Sequence, residues 1–215
     1  MKIIIISDNQ FYLHAFTNVD CSMTVTSDLA LDINHEAYDN AIVIISETDN
    51  TTMLDILGSV IKINAVAVFI EPMQWPKKTK LTNIYNIYIL PPKMNFNHLM
   101  DTIEKSMLPQ SNSVSVNPEK IRASEWSTML HLMTGISNRN LAHMFKSSEK
   151  TISGRIISLS IKTGLAGLNR GTQLNAMYLF YMIYTLTKPM EKRKYYKKQY
   201  EYILESVKTW ASYLN

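Results

Sequence analysis

Four continuous apolar runs mark the first half of the chain: Ile3–Ile6, Ala41–Ile45, Ala65–Ile70 and Ile84–Leu90, with a weaker one at Met23–Thr26. Unbroken apolar runs, as opposed to alternating ones, suit strands buried on both faces. Between them the pattern changes to amphipathic segments, which predict helices over Phe11–Phe16, Thr52–Ile63 and Phe96–Met107, the second capped by Thr51 or Thr52. Strand–helix alternation of this kind predicts a five-stranded parallel sheet with helices on both faces. The stretch EPMQWPKKTKLTN, rich in Pro and Lys, predicts a loop or a single turn.

The pattern breaks at LPQSNSVSVNP, residues 108–118, which is polar, holds two prolines and lacks apolar periodicity. It reads as a linker between a domain over 1–107 and another over 119–215. Beyond it the period is helical throughout. Trp126, Met129, Leu130 and Met133 share one face of a segment that stops at Gly135. Ser137 or Asn138 can cap a helix running to Phe145, with Leu141 and Phe145 on its inner face. Ser147 or Ser148 can cap the next, which carries Glu149 in its first turn and ends at Gly164. Two further helices are predicted, over Thr172–Leu186 and from Pro189 to about Tyr213.

Charge sharpens this division. Residues 1–118 hold seven lysines, no arginine and twelve acids, a net −5. Residues 119–215 hold fifteen Lys plus Arg against six acids, a net +9, and all five arginines. A basic half of this kind points to a polyanionic partner.

The second half holds two short helices joined by a tight turn, the second cap-initiated and basic, which describes a helix-turn-helix. In its second helix Ile152, Ile156 and Leu159 form the packed stripe. The outer positions are small or cationic, as close approach to a DNA major groove requires. Ser153, Gly154, Arg155 and Ile157 are the candidates to face the groove, Ile157 against a thymine methyl. Arg139, Lys150, Thr151, Ser158 and Lys162 complete the candidate DNA-binding set, with Arg139, Thr151, Ser158 and Lys162 on phosphate.

Residues 121–165 resemble the C-terminal domain of LuxR/FixJ/NarL-type transcription regulators, without gaps. Ile121 and Glu125 stand where that family has the Leu and Glu of L-T-x-R-E, and Gly135, Ser137 and Asn138 match its G-x-S-N. Leu141-Ala142 matches I-A. Lys150-Thr151-Ile152-Ser153 matches the start of the recognition helix, in a form similar to the Rcs-like branch, and Lys162, Gly164 and Leu165 match K-L-G-V. Arg122 and Ser124 replace the early Thr and Arg of the motif, Arg155 replaces the usual His or Gln, and Thr163 replaces a core Leu. The resemblance implies a DNA-binding transcription regulator.

The first half resembles a response-regulator receiver without its phosphoryl chemistry, a flavodoxin-like α/β fold. Such a receiver needs two acids after strand one, an Asp after strand three and a Lys after strand five. Here Asp8 is followed by Asn9, the third strand ends in Ser46 and Glu47, the fourth is followed by Glu71, and Pro91 occupies the lysine position. These departures imply phosphorylation-independent action.

The resemblance leaves the C-terminal extension unexplained. Tyr196, Tyr200, Ile203, Val207 and Trp210 form an apolar stripe there, suited to an interface or to packing on its own domain, beside a basic cluster at Lys192, Arg193, Lys194, Lys197 and Lys198. The scattered histidines make no metal spacing, and no phosphate loop or nucleophile motif is present, so neither metal, cofactor, small-molecule substrate nor enzymatic activity is expected. Cys21 alone forms no internal disulfide. The apolar stretch at 176–186 is short of the roughly 18 residues of a membrane span. The expectation is a cytoplasmic, nucleoid-associated regulator whose partner is double-stranded DNA, acting as a homodimer or as the auxiliary half of a heterodimer with another regulator.

Overall fold

The structure is a computed structural model that describes residues 3–17, 23–26, 40–46, 49–62, 65–72, 81–91, 94–106, 114–165 and 170–212. It divides into two compact units, Met1–Val116 and Asn117–Asn215.

The first unit is an α/β sandwich. Its strands are β1 (Ile3–Ser7), β2 (Met23–Thr26), β3 (Ile42–Ser46), β4 (Ala67–Ile70), β5 (Thr82–Ile84), β6 (Ile87–Ile89) and β7 (Val114–Val116). They form one sheet in the order β2-β1-β3-β4-β6-β5-β7. The first five in that order are parallel, with Ile4 set between Thr24 and Val43, and β6 joins β4 through Ile70 and Ile89. Helices α1 (Gln10–Thr17), α2 (Asn50–Val60) and α3 (Phe96–Ser106) complete the unit. Ile3, Ile5, Ile42, Ile44, Ala67 and Phe69 pack on one face with Leu13 and Phe16 of α1 and Leu99 and Ile103 of α3. Period-two alternation sends Ile4, Ile6, Val43 and Ile45 to the other face, where α2 packs on β3 with Met53, Leu57 and Val60 buried. Burial on both faces explains why these strands read as unbroken apolar runs.

The expected five-stranded parallel sheet is present as β2-β1-β3-β4-β6, and among the described residues two further strands, β5 and β7, extend it into a mixed sheet. The run Ile84–Leu90 is not one strand: β5 and β6 pair antiparallel through a two-residue turn at Tyr85 and Asn86. Tyr85 takes a φ of 59°, a conformation that glycine or asparagine ordinarily supplies, so Asn86 alone marks the turn in the sequence. Residues 114–116, inside the stretch read as a linker, form β7 and pair in parallel with β5. Asp49, not a threonine, caps α2 by accepting from the Thr52 N–H at 2.8 Å.

The second unit is helical. After a 3-10 turn at Pro118–Lys120 come α4 (Ala123–Leu132), α5 (Asn138–Met144), α6 (Glu149–Lys162), α7 (Arg170–Leu186) and α8 (Met190–Ser212). Leu132, Ile136, Leu141, Ala142 and Ile152 form a core against which Phe145, Ile156, Leu174 and Val207 pack. Around Trp126 a second, aromatic cluster forms: its ring stacks on Tyr184 at 4.9 Å, with Phe180 and Tyr181 beside it. No helix among the described residues is long and apolar enough to cross a membrane.

Candidate nucleic-acid interface

Local chemistry sets the angle between α5 and α6. Ser137 caps α5 by accepting from the Asn140 N–H at 3.1 Å, and Ser148 caps α6 by accepting from the Thr151 N–H at 3.1 Å. Between them α5 closes with the Ser147 N–H donating to the Ala142 carbonyl at 2.9 Å, which puts Lys146 at a φ of 46°. This closure is one that glycine usually makes; lysine holds it here against steric preference.

Helix α6 has three faces. Ile152 and Leu159 are fully buried, with Ile156 beside them. The outward stripe is Lys150, Gly154, Ile157 and Ile161, at i, i+4, i+7 and i+11, with Thr151 next to it. Ile157 and Ile161 are 61% and 63% exposed, high for isoleucines within an ordered helix. Ser153 and Arg155 are half-buried, on opposite flanks of that stripe. Ile161, absent from the expected set, belongs with Gly154 and Ile157; helical spacing from the packed stripe was the signal that places it there.

The remaining flank does something else. Glu125 of α4 is completely buried, and four donors converge on its carboxylate. The Arg122 backbone N–H donates to Oε2 at 2.8 Å and the Arg122 guanidinium to Oε1 at 2.9 Å. From α6 the Ser158 hydroxyl donates to Oε1 at 2.7 Å and the Lys162 ammonium to Oε2 at 2.6 Å. Lys162 also donates to the Lys120 carbonyl at 3.2 Å. Burial alone would push the Glu125 carboxyl up. The hydrogen bonds from Arg122, Lys162 and Ser158 overcome it and hold the group well below the usual carboxylate range. Ser158 and Lys162, expected on DNA phosphate, both donate to Glu125 in the structure, which a buried carboxylate requires. Arg139, Lys150 and Thr151 are exposed, although the Thr151 hydroxyl shares a hydrogen bond with Ser148 at 2.9 Å. Among the described residues no ion pair engages Lys150 or Arg155.

The stripe on α8 is largely spent within its own unit. Ile203 is buried, Val207 packs on the helical core, and Tyr196 and Tyr200 lie against Tyr184 and Tyr181 at 5.9 and 6.1 Å. The Tyr181 hydroxyl donates to the Tyr196 carbonyl at 2.9 Å. These four residues pack within their own unit, Ile203 buried and Tyr196, Tyr200 and Val207 half-buried; the Trp210 side chain lies outside the described residues.

In the first unit, the ends of β1, β3 and β4 carry the residues expected at a receiver's phosphorylation site. Asn9 caps α1, its side chain accepting from the Phe11 and Tyr12 N–H groups at 3.0 and 3.2 Å. The Ser7 hydroxyl donates to the Ser46 carbonyl at 2.6 Å, and the Ser46 hydroxyl reaches the Glu71 carboxylate at 3.4 Å. The Tyr12 hydroxyl is buried close to Ser46 and Glu71 without a well-formed hydrogen bond. Burial first, and the Glu71 charge second, push that phenol up, so it stays neutral. Asp8 is exposed, and Pro91 follows β6 with no ammonium to offer. Glu47 lies outside the described residues. Among the described residues no cluster of three or more metal-ligating side chains occurs.

The chain is similar to a solved structure of two RcsB dimers bound to two parallel DNAs, with a TM-score of 0.50 and 15% identity over 83% of this chain and 98% of that one. It is also similar to a structure of the two-component response regulator RcsB–DNA complex, with a TM-score of 0.49, 15% identity and the same coverage. No family model and no curated protein matches the sequence. The fold is that of a response regulator: a receiver-like α/β unit followed by an all-α unit with a helix-turn-helix.

Proposed function

We propose that this protein is a sequence-specific transcription regulator of the LuxR type, acting as a dimer and without phosphorylation. The observation that carries the reading is the outward stripe of α6, where Lys150, Gly154, Ile157 and Ile161 stand clear of the unit's own core. Lys150 and Arg155 supply charge for phosphate or a guanine edge, and the isoleucines suit thymine methyls. Arg139 and Thr151 are assigned to phosphate, and Ser153 to the edge of the groove. One such helix reads only a few base pairs, so two half-sites are needed for useful specificity. The resemblance to RcsB, whose structures are DNA complexes, supports the same reading.

The decisive experiment is selection of genomic fragments by the purified protein beside a Lys150→Ala/Arg155→Ala variant. Sequence-selective, salt-sensitive recovery is expected from the wild type and not from the variant. Equal, weak recovery by both would overturn the reading. Lys162 is left intact in this test because it holds Glu125.

The exposed isoleucines also favour a second reading, in which the stripe docks another regulator and the protein is the auxiliary half of a heterodimer. A complex that forms with a second regulator in the absence of DNA, and dissociates on Ile157→Asp, would select it.

Phosphorylation independence is tested directly. Asn9 replaces the second acid after β1, Ser46 ends β3 where the acceptor Asp is needed, and Glu71 and the neutral Tyr12 lie close to Ser46. Adding beryllofluoride with Mg²⁺ is expected to leave oligomeric state and DNA affinity unchanged. A shift in sedimentation or a change in affinity would contradict the proposal.

A further inference from the structure

Helix α6 is poor in available charge. Lys162 is committed to Glu125, and Glu149 opens the helix, which leaves Lys150 and Arg155. Non-specific attraction to DNA scales with the number of phosphates neutralised, and two cations supply little of it. The densest run of positive charge in this unit is on α8, where five cations fall within Lys192–Lys198.

Packing fixes how α8 is turned. Tyr196, Tyr200 and Ile203 face inward; Lys194 and Lys198 stand on the opposite face, Lys197 on its flank, and Lys192, one turn before Tyr196 on the packed side, is exposed at the start of the helix. Tyr195 and Tyr202, 64% and 75% exposed, stand among and just beyond them. Arg193 is used internally, its Nε donating to the Lys188 carbonyl at 2.7 Å. Among the described residues no ion pair engages the four lysines. Their placement works against the helix itself. Lys192 and Lys194 stand in its first turn, where the dipole disfavours cations, and Lys197 and Lys198 lie at i+3 and i+4 from Lys194, spacings at which like charges repel. Glu191 and Glu201, at i+3 and i+4 spacings from these lysines, offset part of that repulsion, and an external anion would offset the rest.

We infer that the exposed lysines of the first turns of α8, Lys192, Lys194, Lys197 and Lys198, form a second DNA contact that grips the phosphate backbone of duplex DNA. The lysines span seven residues, a rise of about 9 Å, matching two to three phosphates along one strand. Tyr195 and Tyr202 add hydroxyl donors of the kind that position proteins on phosphate. A lipid surface is the poorer fit, since insertion of a helix needs a free apolar face and the apolar stripe of α8 is already packed. This inference rests on the DNA-binding reading of α6 but is separable from it.

The test uses the full chain with Lys192, Lys194, Lys197 and Lys198 changed to Gln, and two probes: a duplex of the sequence recovered in the selection and a scrambled duplex of equal length. The slope of log affinity against log salt should become shallower by about two to three on both duplexes, with the preference between them retained. Thermal melting should show the variant as stable as the wild type or more so, since like-charge repulsion is removed. An unchanged slope in a selective protein overturns this inference and leaves the proposed function standing. A wild type that prefers no sequence, with a slope that still falls in the variant, overturns the proposed function and upholds this one. A wild type that binds neither duplex overturns both.

Discussion

Replacing Glu125 with alanine is expected to remove about 2–4 kcal/mol from the stability of the helical unit, a large share of the roughly 5–15 kcal/mol typical of a domain. The side chain is completely buried and takes four hydrogen bonds, two of them from α6. Its loss strands the Ser158 hydroxyl and the Lys162 ammonium at a helix–helix contact. The figure lies below the full cost of breaking a buried ion pair because Lys162 is 31% exposed and can turn to water, while Arg122, 67% exposed, adds little. Urea melts, with hydrogen exchange on α4 and α6 amides to localise the effect, read this directly; a loss under half a kcal/mol would show that Glu125 clamps nothing. DNA affinity should fall in the same variant although Glu125 touches no DNA, because α6 loses the bonds that orient it.

The same carboxylate predicts a pH dependence. Its value in the folded chain lies below the ordinary 4.5, so on acidification the unfolded chain takes up the proton first. The stabilisation is therefore complete above the ordinary value and is lost as pH falls below it. Melts of the wild type between pH 7 and pH 3 should show this acid limb. Glu125→Gln, which has no proton to take up, should show a shallower one; identical limbs would sink the assignment.

The contrast between Glu125 and the sheet shows what local pattern conveys and what it does not. Burial on both faces writes itself into Ile3–Ile6 and Ala41–Ile45 as an unbroken run, and a helix facing a core writes itself as Ile152, Ile156 and Leu159. Those signals depend only on neighbours along the chain. Ser158 and Lys162 also had a periodic position, but their partner lies 33 and 37 residues away, and periodicity says which way a residue points without saying what waits there. The hairpin was hidden for another reason. Tyr85 holds a positive φ that tyrosine rarely adopts, within a hairpin flanked by the pairing of β5 with β6 and β7, and Asn86 alone is a weak turn signal inside an apolar run. The outward set on α6 was partly legible, since Gly154 and Ile157 follow from helical spacing. The division of its flanks between groove and Glu125 was not.

Gly154 gives the largest expected functional effect, and two substitutions there should move stability and binding in opposite directions. It sits in the middle of α6, and a Cβ added to it would meet no atom of the chain within 4 Å. Glycine in a helix interior costs about 0.5–1 kcal/mol relative to alanine, and nothing inside the unit requires that cost. An external surface that approaches the helix backbone does. Gly154→Ala should therefore raise the stability of the unit by about 0.5–1 kcal/mol, while Gly154→Leu should fold normally and weaken binding to the selected duplex about 10- to 100-fold, the range of one to two lost base contacts. The loss should be in selectivity: binding to the scrambled duplex, carried by lysines elsewhere, should change little. Melting curves and competition binding measured on the same preparations decide the matter. If Gly154→Leu binds the selected duplex as the wild type does, this stripe does not enter the groove, and the helix-turn-helix is reading no DNA through the face its own packing leaves open.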